Sequence, residues 1–157
     1  MSGEKSSDLI RRIHLELGEI QIVLTRINNR WDDALRSDDD VYLDSVALNL
    51  QGFYTGFERV FTQIAETVDG SLPRGDNWHE LLLRRMMSEV PRIRPAVISA
   101  ETGRLLDELR RFRHVVRNVY TYKFNQEKIE ILVKSATDVY ERLKAELNTF
   151  ADFLEQA

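Results

Sequence analysis

Apolar residues recur every three or four positions at Leu9, Ile13, Leu17, Ile20, Leu24, Ile27, Trp31 and Leu35. That interval winds one apolar stripe along an α-helix and cannot serve a strand, whose faces alternate every second residue. Ser7 reads as the N-cap, with Asp8 in a favourable first turn. The same interval returns in Leu43, Val46, Leu50, Phe53, Phe57, Val60, Phe61, Ile64 and Val68, a second helix expected over 41–68. Asn77 reads as the cap of a short helix from Trp78 to about Val90, and Pro91 and Pro95 bracket an irregular connection. Ser99 reads as the cap of a fourth helix with Leu105, Leu106, Leu109, Phe112, Val115, Val116 and Val119 on its apolar side. A fifth is expected from Gln126 to Phe153. No period-two pattern, internal repeat or low-complexity tract interrupts this order. The expected fold is all-α, an up-down bundle of four to five helices, in one domain over 1–157 with 1–7 disordered.

Composition narrows the chemistry. A chain of 157 residues fits one domain. It can bury roughly 68–70% of its unfolded surface, enough for a core without staples. It has no Cys, which removes disulfides, thiolate metal sites and a cysteine nucleophile. The net charge of −4 argues against a surface coated in basic residues for nucleic acid, but leaves room for a local site. No window approaches the ~20 apolar residues of a membrane helix, and the polar start MSGEKSSD does not resemble a secretory leader. The expected location is cytoplasmic, with no membrane partner.

Few residues carry chemistry. The phosphate loop, nucleophile elbow and His-Glu-x-x-His helix are all absent. His14, His79 and His114 stand far apart and share no metal-ligand spacing, so neither metal nor cofactor is expected. The carboxylates at Asp32-Asp33 and Asp38-Asp39-Asp40 sit at helix ends, where capping explains them. Gly52 and Gly56 lie four apart in the second helix, where close approach of another helix is the simplest explanation.

One stretch stands apart: Arg110-Arg111-Phe112-Arg113-His114-Val115-Val116-Arg117-Asn118-Val119-Tyr120. At about 100° per residue, Phe112, Val115, Val116 and Val119 share one side of a helix. Arg113, Arg117 and Tyr120 share an adjoining side, with Arg110 and His114 beside them. Converging arginines repel unless an anion meets them, and arginine makes forked contacts with phosphate. The face is therefore either a phosphate site or a solvated surface paired with carboxylates from neighbouring helices. On composition alone the second has the better claim.

The stretch resembles the signature of the HEPN superfamily, most closely that of HepT-like ribonuclease toxins. Arg113 takes the motif's arginine position, His114 the polar position after it and Tyr120 the trailing tyrosine. The runs Gly52–Phe61, Leu72–His79 and Arg94–Val97 are also similar to a HepT-like subgroup, so the likeness spans roughly residues 10–150. The resemblance implies a homodimer with the motif helices of two copies facing across a cleft, and a metal-independent endoribonuclease. With the cationic face, this makes Arg113, His114 and Asn118 the candidate catalytic residues, and Arg110, Arg117 and His79 the candidates for substrate binding. The resemblance further implies an RNA substrate, a minimal nucleotidyltransferase antitoxin as partner, and Tyr120 as the residue that partner modifies.

Asn118 departs from the pattern, because it stands where the family has histidine. A carboxamide hydrogen-bonds but moves no proton at neutral pH. His114, one turn earlier, and His79, on the short helix, are the candidates to replace it. The other reading is a catalytically inactive module that binds RNA, a nucleotide or a nucleotidyltransferase.

Overall fold

The computed structural model describes residues 2–157. Five α-helices follow in order: α1 (Gly3–Arg36), α2 (Asp40–Ile64), α3 (Trp78–Met86), α4 (Ala100–Asn118) and α5 (Gln126–Gln156). A π-helical turn, Ala65–Asp69, continues α2, and a 3₁₀ turn, Thr121–Lys123, joins α4 to α5. No strand occurs among the described residues beyond a single bridge between Val90 and Arg94. The bundle is all-α, as the periodicity requires.

The four long helices run up and down, with α3 inserted between α2 and α4. Helix α2 is central and packs on all the others. It runs antiparallel to α1: Arg59 Nε meets Glu16 at 3.1 Å, and Gly56 lies against Ile20. A Cβ at Gly56 would sit 2.6 Å from Ile20 Cγ1, whereas one at Gly52 meets nothing within 4 Å. The close approach expected of both glycines belongs to Gly56 alone. Helix α5 packs antiparallel to α1, where the Tyr140 hydroxyl donates to the Leu17 carbonyl at 3.1 Å. Glu146 of α5 accepts from the Ser99 backbone N–H at 2.7 Å, and the Ser99 hydroxyl caps α4 through the Thr102 N–H. One continuous core joins all five helices, built on Ile13, Ile20, Leu50, Phe53, Phe57, Leu82, Leu106 and Leu143.

Several local expectations are corrected. Helix α1 begins at Gly3, not after Ser7. The Ser2 hydroxyl accepts from the Lys5 N–H at 3.2 Å, and Ser6 is buried. Residues 3–7 of the stretch expected to be disordered are therefore helical, while Met1 lies outside the described residues. Leu35 is exposed, because the buried face of α2 starts only at Val46. Helix α3 ends at Met86 rather than near Val90, since Pro91 disfavours a helical Val90 and supplies no N–H. The chain there doubles back, with Arg92 at φ 69°. Arg94 fixes this loop from inside: its guanidinium grips Asp69 through Nε at 2.6 Å and Nη2 at 2.9 Å, and also reaches the Ser88 carbonyl.

The end of α4 differs most. Phe112 is buried and meets Phe124 at 6.3 Å between ring centres. Beyond it Val116 is half-buried, and Val115 and Val119, expected inside, are 40% and 36% exposed. The buried face of α5 starts at Ile129, and among the described residues Val115 and Val119 on the last turns of α4 stay uncovered.

Candidate active site

Helix α4 presents its motif at this uncovered end. Between Glu108 and Glu127 the chain has no acidic residue, so cations crowd the α4 terminus. The structure sorts them. Arg110 Nε binds Asp107 at 2.8 Å, and Arg111 Nη2 binds the same carboxylate at 3.0 Å. Arg110, expected to contact substrate, is instead neutralised and three-quarters buried. Among the described residues no carboxylate lies within ion-pairing distance of Arg113 or Arg117. Arg113 is half-buried, and its Nε is buried without a hydrogen-bond partner. Arg117 stands in solvent on the last turn. The free cationic pair is thus Arg113 and Arg117.

His114 and Asn118 share the same exposed turn. The Asn118 carboxamide Nδ2 donates to the His114 carbonyl at 2.7 Å and lies 3.4 Å from His114 Nδ1. Asn118 therefore folds back along its own helix and lies against the imidazole. A donor at Nδ1 favours the tautomer with its proton on Nε2. The helix then ends, and Tyr120 projects with 73% of its surface exposed.

His79 lies elsewhere. Its Nδ1 is 2.7 Å from Glu58 Oε2, and its ring stacks on Trp78 at 3.7 Å. Its side chain is 25% exposed and held between α2 and α3 by Glu58. Glu58 is buried and takes a second bond on the same oxygen, from the Tyr54 hydroxyl at 2.9 Å. Burial and the adjacent Glu58 carboxylate push the Tyr54 hydroxyl far above the ordinary tyrosine range. Arg110 and Arg113 pull it back only partly. Tyr54, Glu58 and His79 thus form a polar cluster beneath the arginines of α4.

Periodicity did not single out Tyr54 or Glu58 as a site. Their signal is a polar pair at i, i+4 on a helix otherwise lined by Leu50, Phe53, Phe57 and Phe61. Tyr122 and Lys123 were also missed, because they fall after the motif. Among the described residues no three His, Asp or Glu side chains gather as a metal site would need, and no helix is long and apolar enough to cross a membrane.

The all-helical bundle, with Arg113, His114, Arg117 and Asn118 on the last turns of α4 and Tyr120 just beyond, has the fold of a HEPN-superfamily domain, and the family match bears this out. The family of HepT-like proteins matches residues 45–154, from the early turns of α2 to the end of α5, and the chain belongs to it. No curated protein and no solved structure matches the chain.

Proposed function

We propose that this protein is the toxin of a toxin–antitoxin pair, a metal-independent endoribonuclease acting at a cleft between two copies of the chain. The observation that carries this reading is the free Arg113–Arg117 pair beside an exposed His114, at an end of α4 that its own chain leaves uncovered. In this reading the Asn118 carboxamide gives up His114 Nδ1, the nitrogen without a proton, and Nδ1 takes the proton from an RNA 2′-hydroxyl. The 2′-oxygen bonds to the adjacent phosphorus and the bond to the 5′-oxygen breaks, leaving a 2′,3′-cyclic phosphate. The departing 5′-oxygen takes a proton from the imidazolium across the cleft. Arg113 and Arg117 meet the charge that grows on the phosphorane oxygens. Asn118 orients the imidazole and transfers no proton. A minimal nucleotidyltransferase is the partner this reading calls for. Adding a nucleotide to Tyr120 would place an anion beside Arg117 and exclude RNA.

The test is cleavage of a single RNA in chelator, followed by analysis of the product ends. Wild type is expected to leave cyclic phosphates, and Arg113→Ala and His114→Ala to lose at least about 100-fold in rate. No cleavage by wild type, or full cleavage by both variants, removes the enzyme reading.

A second reading has its own support. The Asn118 side chain is committed to the His114 carbonyl of its own helix and not extended into solvent. In that reading the site binds RNA or a nucleotidyltransferase without cutting. RNA affinity that falls with added salt, alongside zero cleavage, selects it.

A further inference from the structure

Just past the motif, two tyrosines stand side by side in solvent. The Tyr120 and Tyr122 rings lie 5.9 Å apart and within 10° of parallel. They are 73% and 77% exposed, the most exposed of the large hydrophobic side chains. Water does not favour such a display, yet the backbone fixes it. The Lys123 N–H donates to the Tyr120 carbonyl at 2.9 Å, and the Phe124 N–H to the Thr121 carbonyl at 3.1 Å. Phe124 anchors this turn against the buried Phe112. Among the described residues neither tyrosine hydroxyl has a hydrogen-bond partner that would explain its place. The surroundings are cationic: Lys123 Nζ lies 5.8 Å from the Tyr122 ring centre, and Arg117 stands on the last turn of α4, three residues before Tyr120.

We infer that the Tyr120–Tyr122 pair is a base-stacking platform, with Tyr122 the residue that holds an unpaired base of the RNA. The inference rests on the ribonuclease reading only for the RNA, and Tyr122 lies outside the motif that suggested it. Parallel exposed rings offer π-faces to any base, while the unpaired cations beside them attract the phosphates between bases. An A-form duplex keeps its bases stacked inside, where these rings cannot reach them. It would meet the cations and gain nothing from the tyrosines. The platform therefore holds an unpaired base just past the turn of α4 that carries His114 and Arg117.

The probe is a 2′-O-methyl RNA of about 12 nucleotides, which lacks the attacking hydroxyl. It is used alone and annealed to its complement, with affinity read by fluorescence anisotropy. Wild type is expected to hold the single strand at least about tenfold more tightly than the duplex. Tyr122→Ala is expected to weaken the single strand about 5- to 100-fold, leave the duplex unchanged and leave thermal unfolding in place. Tyr122→Phe, which keeps the ring, is expected to bind as wild type. Single-strand affinity untouched by Tyr122→Ala but lowered by Arg117→Ala overturns the platform and leaves the RNA reading intact. Failure of wild type to bind either probe overturns both. Dissociation of a dimer by Tyr122→Ala with RNA affinity unchanged also overturns it, because the rings are then a seam between copies.

Discussion

Asn118 governs how much catalysis this chain can support. Its carboxamide lies against the His114 imidazole and supplies only a hydrogen bond. Asn118→His restores an ionisable group at that turn. If the ribonuclease reading is right, single-turnover cleavage rises at least about 100-fold, the worth of one general acid or base. An unchanged rate shows that His114 already does the work. Tyr54 makes a different residue-scale prediction. Its folded pKa is raised by burial and by Glu58, so the folded protein holds this proton where the unfolded chain has lost it. The stabilisation is complete below pH ~10, the unfolded value, and declines as pH rises beyond it, by about 1.4 kcal/mol per pH unit for one group. Urea melts from pH 9 to pH 11 are expected to show this decline, and Tyr54→Phe to make it shallower. At pH 7 the same change takes a donor from buried Glu58 and is expected to lower stability by about 1–3 kcal/mol.

Among the elements, the α1–α2 pair shows most directly how one helix positions another. Gly56 lets Ile20 of α1 reach the α2 backbone, while Gly52 faces open space. Gly56→Ala is expected to destabilise by about 1–3 kcal/mol through overpacking. Gly52→Ala is expected to stabilise by up to about 1 kcal/mol, since alanine is the better helix former. Opposite shifts in denaturation midpoint separate the two. Both glycines were legible as a pair in the sequence. Which of them meets a neighbour was not, because helix periodicity gives a face but not the distance to whatever packs there. The same limit explains α4: its apolar residues form a stripe, yet Val115 and Val119 at its end remain exposed.

For the whole molecule, the uncovered end of α4 argues for assembly. Val115 and Val119 remain exposed on the same turns of α4 as the unpaired arginines. The proposed cleft needs two copies there. Sedimentation is expected to show a dimer whose dissociation is promoted by Val115→Asp, with RNA cleavage lost in parallel. A monomer that cleaves RNA at full rate removes the two-copy cleft. The net charge of −4 conceals this surface, because carboxylates elsewhere outnumber the cations that matter.

The sequence by itself determined the helices, most of their buried residues and the motif at the end of α4. These follow from interactions between near neighbours, namely the three-to-four spacing, the cap at Ser99 and the break at Pro91. Only the tertiary structure decided which cations are free. Asp107 claims Arg110 and Arg111, while Arg113 and Arg117 are left without a carboxylate. It also bound His79 to Glu58, 21 residues earlier in the chain. Ion pairs and buried hydrogen bonds depend on side-chain rotamers and on how helices cross, and neither is encoded in the spacing of residues along one helix. Local pattern marked where the chemistry stands, and packing chose which side chains are free to perform it.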